Sequence, residues 1–448
     1  MTPFPISEQT PLAWPGPHPN ETDVVVIGGG VIGVCTALFL ARAGKHVTLL
    51  EKGRIAAEQS SRNWGWIRQQ GRDPDEIPIM LEANRLWREL ATQTNVDIGL
   101  KTGGIAYLAQ TDKDMAEYTA WVPHAQAHDL DSRMLSTKET ADLIPGMSRS
   151  YKGALYTASD MRAEPWVAVP ALAGIAARAG VTLVENCAVR ALDLVAGKVA
   201  GVITELGRIK AAEVVLAGGA WSALFLRRHG VALPQLSVRA TVAATAPLPM
   251  VYPGGAAEPS IAFRARSDGG YTLAAGGHRE LFIGPEAFRS LPKYLAQLRQ
   301  DPFGTRLHAK SPPGFPDAWG TPRDWAEDTI SPFERMRILN PEPNARKVRD
   351  LARDFGALFP ELGPVRITSA WAGMIDTMPD VVPVVDRIAD LPGLTVGTGM
   401  SGHGFGIGPG MGKVLAALVM GDEVGHDLSR FRHSRFSDGT PMRIGPSV

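Results

Sequence analysis

Residues 23–51 read DVVVIGGGVIGVCTALFLARAGKHVTLLE, and their order decides the fold. The apolar run after Asp23 predicts a strand to Ile27, and Gly28-Gly29-Gly30-Val31-Ile32-Gly33 predicts a turn. A helix to about Ala43 and a second strand from His46 to Leu50, ended by Glu51, complete the unit. This is the βαβ pattern of dinucleotide binding. Gly28 is expected to permit the tight turn, Gly30 to let a pyrophosphate reach the backbone, and Gly33 to let helix and strand pack closely. The phosphates would rest on the helix start at Val31 and Ile32, and Glu51, with Lys52 beside it, would accept hydrogen bonds from an adenosine ribose.

The unit alone does not separate FAD from NAD. A helix at about Trp166–Ala179, strand-like runs Val181–Val189 and Val199–Ile203, and a buried strand ending in Ala217-Gly218-Gly219-Ala220-Trp221 follow. Near the C-terminus a strand at Leu394–Val396 leads into the glycine-rich loop Gly397–Gly410 and a helix to about Met420. A second helix start, with its N–H groups and positive dipole end, suits the pyrimidine end of a flavin. FAD is therefore the expected cofactor.

At this point the chain resembles the flavin-dependent oxidoreductases of the D-amino-acid oxidase and sarcosine oxidase superfamily, from about Asp23 to Phe431. The resemblance rests on the first glycine motif with Glu51-Lys52, Ile67-Arg68 upstream of an Ile77–Leu90 helix, and Lys101-Thr102-Gly103-Gly104. It rests also on the Ala217–Trp221 turn, Pro379-Asp380 with Pro383, and Ser401-Gly402-His403-Gly404-Phe405. It implies an α/β fold: a Rossmann-like FAD-binding domain with an inserted α+β substrate domain built on an antiparallel sheet. Cofactor contacts are expected at Ser61, Arg62, Asn63, Trp64, Gly65, Val189, Gly218 and Gly219, and from Gly402 to Gly406.

The resemblance places Arg68 on the substrate carboxylate, a role that the guanidinium fork suits. His403 would face ring or substrate, or simply satisfy loop backbone. Trp371 would be an aromatic pocket wall or buried core, and Trp221 a second lining residue. Departures from the pattern are as informative. Gly65 stands where sarcosine oxidases carry a second arginine, and no cysteine lies near Gly373, so FAD should be noncovalent. Thr272 and Gly406 stand where lysines are found, and Ile375 where glycine and D-amino-acid oxidases have an arginine. The implied activity is oxidation of an α-amino acid, with a lean toward primary L-amino acids, to an imino and then a 2-oxo acid. Oxygen would take the electrons, with a quinone-linked dehydrogenase as one alternative. Demethylation of an N-methyl amino acid and a non-catalytic flavin-binding subunit are the others.

Composition narrows the rest. The 448 residues are 44% hydrophobic, enough for two domains with full cores. Lys plus Arg equals Asp plus Glu at 46 each, so no net field recruits nucleic acid or an anionic membrane. Cys35 and Cys187 make neither a disulfide framework nor a metal site, and a reducing cytoplasm fits. Val24–Ala41 is uncharged but holds the phosphate glycines, so no membrane span is expected.

Residues 1–21, with Pro3, Pro5, Pro11, Pro15, Pro17 and Pro19, read as an extended arm. The FAD-binding domain is expected from 22–80, 160–235 and 365–432, and the substrate-binding domain from 81–159 and 236–364. In the latter, Thr102–Ala109, Ala240–Ala246, Pro259–Arg264 and Tyr271–Ala275 read as strands, and Pro285–Gln300 and Asn344–Phe359 as amphipathic helices. Pro302–Pro332, rich in Pro and Gly, is either a lid or a surface connection.

Overall fold

A computed structural model describes residues 4–277, 279–301 and 304–445; Pro3 of the arm and Pro302 of the loop lie outside them. Strand Val24–Ile27 lies inside a six-stranded sheet ordered Val384–Arg387, Leu394–Thr398, Glu213–Leu216, Val24–Ile27, Val47–Leu50, Thr182–Val184. All pairings are parallel except that of the first strand. Parallel strands are covered on both faces, which is why these read as unbroken apolar runs. Val26 and Leu49 face the helices Val31–Arg42, Pro165–Arg178 and Gly404–Met420. Val25, Leu50, Val214 and Val396 face a cluster that includes a three-stranded antiparallel sheet, Val189–Val195, Lys198–Thr204 and Gly207–Lys210.

A ten-stranded, mostly antiparallel sheet forms the second layer, centred on Leu236–Thr245. Helix Ala345–Leu358 covers it through Val348, Leu351, Phe355 and Leu358, whose 3.6-residue spacing puts them on one face. Phe355 meets Tyr271 at 5.0 Å and Phe263 at 5.5 Å between ring centroids. Burying a ring of that size contributes about 1.5–3 kcal/mol. A small sheet of Trp66–Ile67, Met161–Arg162 and Lys101–Thr102 delivers Arg68.

Three expectations change. The glycine-rich stretch is loop only to His403, because Gly404–Met420 is helix. Its glycines are a packing face: a Cβ at Gly408 would lie 2.5 Å from Val31 Cγ2, and one at Gly412 2.4 Å from Cys35 Cβ. Strand Ile367–Thr377, grouped by sequence with the nucleotide segments, instead pairs along its length with Leu236–Thr245 in the second sheet. The Pro/Gly loop contains a strand, Thr305–His308, that pairs in parallel with Arg279–Phe282. Within the arm, Phe4 reaches inward to stack on Trp371 at 5.4 Å, with the Arg62 guanidinium 4.5 Å from its ring.

Candidate active site

The first helix begins where two cavities meet. One of 480 Å³ and one of 110 Å³ share Gly30, Gln59, Ala217 and Gly219 in their walls. Gly28 makes the turn at φ +109°, and a Cβ at Gly33 would lie 2.0 Å from Gly28 O, so glycine is required at both. Gly30 differs: a Cβ there would meet only Ser60 Oγ, at 3.0 Å, and as the cap residue it has no side chain of its own to close the helix start. Ser60, which the sequence reading missed, accepts from Val31 N at 2.9 Å. The open helix start fits a pyrophosphate.

The smaller cavity fits an adenosine. Glu51 ends the second strand, its carboxylate accepting from Gly29 N and Gly53 N at 2.7 Å each, and burial pushes its pKa up to about 7. Lys52 pairs with Glu58 at 2.6 Å and lies 4.4 Å over the Trp221 ring, while Trp221 Nε1 donates to both Glu58 oxygens at 3.1 Å. Val189 and Gly218 line the same space. Trp221 therefore lines the smaller cavity and no part of the large one.

The large cavity brings together Val31, Ile32, Arg62, Asn63, Trp64, Arg68 and the Gly402–Gly406 loop and helix start. Arg68 is 5% exposed; it donates to Gln70 O at 2.5 Å, and its guanidinium lies 5.4 Å from the centre of the Tyr107 ring. Arg72, one turn on, donates to Arg68 O at 3.0 Å and to His403 O at 3.1 Å, tying the arginine turn to the second helix start. His403 caps that helix, with Nδ1 3.9 Å from Glu76 Oε2. Trp64, Trp66, Tyr107 and Tyr118 form an aromatic ladder along the same wall, with successive centroids 5.2, 6.4 and 6.0 Å apart. Leu236, Val238 and Val242 supply an apolar wall as well.

Buried carboxyls lie behind the arginines. Burial pushes Asp160 and Glu76 up to about 7, although Gln69 N donates to Asp160 at 2.7 Å and Arg72 stands 3.8 Å from Glu76. In the folded protein these groups stay protonated where the unfolded chain has already ionised them. Their stabilising effect is thus present at low pH and lost as pH rises through about 7. Melting temperature is expected to fall on that account between about pH 4 and about pH 7, and Asp160→Asn, which cannot ionise, flattens the fall. A variant melting with the parent's full pH dependence would remove Asp160 from this role.

Several expected site residues lie elsewhere. Trp371 is core: it is 4% exposed, donates to Arg62 O at 2.9 Å, and packs on Phe4 and Trp166. Ser61 and Gly65 line neither cavity. Ser61 donates to Glu58 O at 3.3 Å, and a Cβ at Gly65 would lie 2.8 Å from Arg264 Nε. Arg264, which sequence reasoning missed, comes from the second sheet, donates to Trp64 O at 2.6 Å and pairs with Glu164 through both terminal nitrogens at 3.0 Å. Its Nη2 also donates to Thr272 Oγ1 at 3.2 Å, so this guanidinium stands at Gly65 and Thr272, two of the four positions that lack the expected cations. Arg62 holds Ala57 O, Ala372 O and Asn340, at 2.8, 3.0 and 2.7 Å, as a structural clamp.

Comparison with known proteins agrees with this geometry. The human mitochondrial sarcosine dehydrogenase is 26% identical over 93% of the chain, which spans only 42% of that protein's length. Glycine oxidase from Geobacillus kaustophilus is 26% identical, with 93% of the chain and 97% of that protein covered. The solved structure of L-amino acid deaminase from Proteus myxofaciens in complex with anthranilate is 28% identical. It superposes with a TM-score of 0.90 over 96% of the chain and 97% of that structure. The profile of the FAD dependent oxidoreductase family matches residues 23–418, and the chain, whose first helix starts between a smaller and a larger cavity, belongs to that family.

Proposed function

We propose that the chain catalyses oxidative deamination of an α-amino acid carrying a bulky apolar side chain, with the L-enantiomer favoured. The observation that carries the reading is Arg68, a buried fork over Tyr107 within an aromatic ladder, in the same cavity wall as the Gly402–Phe405 helix start. Bound FAD supplies the hydride acceptor at its N5 position. Arg68 holds the carboxylate, the ladder takes the side chain, and the apolar walls keep water from the reacting carbon. The amine must arrive neutral, with its lone pair free to assist departure of the hydride. The imino acid product hydrolyses to a 2-oxo acid and ammonia, and oxygen, reduced to hydrogen peroxide, takes the electrons.

The likeness to the Proteus deaminase supports the primary amine and the L-form. Likeness to sarcosine dehydrogenase and glycine oxidase supports a second reading, oxidation of an N-methyl or very small amino acid. Four aromatic rings in the cavity wall favour the first. FAD is held noncovalently in this reading: Cys187 lines only the adenosine cavity and Cys35 packs under Gly412. Both thiols are free and buried, which suits a reducing compartment such as the cytoplasm.

The test is an anaerobic titration of the yellow protein with L- and D-amino acids and N-methyl amines, followed by oxygen or an artificial dye. Bleaching by L-phenylalanine or L-leucine with ammonia release is the expected result. Formaldehyde release favours the second reading, and a flavin that no amine bleaches makes the chain a non-catalytic flavin-binding subunit. Acid precipitation should release all the FAD, and yellow precipitate would refute noncovalent binding. With Thr272 and Gly406 in place of lysines, a dye-linked rate at least comparable to the oxygen rate is expected.

A further inference from the structure

One wall of the large cavity comes from outside the span that the family profile covers. Ile444 lines it, whereas the profile ends at residue 418. After the Gly404–Met420 helix the chain turns at Gly421 in a left-handed conformation, makes two short helical turns at Ser429–Phe431 and His433–Phe436, and returns over the site. Two groups of ion pairs fasten this return. Arg435 grips Asp380 at 2.8 and 3.1 Å with both partners buried. Arg430 bridges Asp380 at 3.2 Å and Asp73 at 3.4 Å. Further out, Arg443 lies 3.6 Å from Asp73 and contacts Asp75, and Gly445 N donates to Asp380 O at 2.9 Å.

The two fastenings differ in strength. The Arg435–Asp380 pair is sequestered and bidentate, so it holds permanently. Arg443 is 61% exposed and Asp75 39%, so water and salt screen that side-chain contact, while Arg430 donates to Arg443 O and buried Asp73 is its second partner. Asp73 directly follows Arg72 and caps the turn at Pro74–Glu76, so the outer fastening lands on the segment that aims Arg68 and Arg72. We infer that residues 437–445 are a strap forming a movable wall of the substrate cavity, with Ile444 a specificity-determining contact and Arg443 its latch. Hinged at Arg435, the strap opens to admit substrate and closes Ile444 onto its side chain, excluding water. The specificity role rests on the proposed amino-acid reading; the wall itself does not.

The experiment uses the FAD-loaded protein and two readouts. Iodide quenching of flavin emission, at constant ionic strength, reports access to the site without any substrate. The ratio of kcat/KM for L-phenylalanine to that for L-alanine reports the room left by the wall. Arg443→Gln, and a chain ending at Ser437, should raise the iodide quenching constant severalfold at unchanged flavin content. Ile444→Trp should lower the phenylalanine-to-alanine ratio by about tenfold, the scale on which pocket volume discriminates. Arg443→Gln keeps the first readout decisive if the shortened chain does not fold. A quenching constant equal to the parent's, or an unchanged ratio in Ile444→Trp, overturns the inference. If the parent oxidises no amino acid, the functional reading fails and the quenching measurement alone decides the strap.

Discussion

Gly30→Val should give a folded, colourless protein, whereas Gly33→Val should give little folded protein at all. The two glycines lie three residues apart in one turn, yet the space around them differs. At Gly33 the new side chain starts 2.0 Å from a backbone oxygen and 3.3 Å from Val26 Cγ1, so strand and helix must separate. Overpacking of this kind typically costs about 1–3 kcal/mol, and a backbone contact that cannot yield costs more. At Gly30 the only neighbour is a serine hydroxyl, so the chain tolerates the side chain and FAD does not. Losing a ligand present at 1,000 times its Kd removes about 4 kcal/mol of apparent stability. Gly30→Val should therefore purify without flavin and melt at the temperature of parent protein stripped of FAD. Normal flavin content in Gly30→Val would show that the pyrophosphate does not cross this helix start.

Arg68→Ala should raise KM for amino acids by about tenfold to a hundredfold, matching the roughly 1.5–3 kcal/mol of a hydrogen bond to a charged group. Arg68→Lys keeps the charge but loses the fork, so it recovers only part of the loss. Amines without a carboxylate should be nearly indifferent to both changes. Flavin content must be measured alongside, because Arg68 O is also an anchor for Arg72, which holds His403 O. Equal weakening of acids and simple amines at full flavin content would sink the anchor.

Local pattern made much of the fold readable. The strands and helix around Gly28–Gly33, the Pro285–Gln300 helix and the apolar face of Ala345–Leu358 follow from periodicity and from glycine and proline at element ends. Contacts between distant segments were not readable. Arg264 reaches Trp64 across 200 positions, and only the fold reveals that it occupies the space above Gly65. Trp371 looked as much like pocket as like core, because a tryptophan's hydrophobicity is the same in both; Phe4 and Trp166 settle it. The Gly404–Gly410 stretch read as loop because glycine is a poor helix former, and its helical state is set by the close approach of Val31 and Ile79. Asp112–Gln126 went unread although Thr111 and Asp114 form a capping box at its start.

That glycine-faced helix also dates the birth of the site. Val31, Cys35 and Ile79 emerge early from the ribosome, but the surface that covers them, Gly408 to Gly412, is made some 330 residues or more later. Strand Glu213–Leu216 likewise waits for Leu394–Thr398 to complete its pairing. Until then a nascent chain displays an uncovered apolar helix face and a bare parallel edge, the state most prone to sticking to its neighbours. Cofactor capture is thereby a post-translational event, and slow expression in the cold, with chaperones and riboflavin in supply, is the regime in which this polypeptide should reach its yellow form.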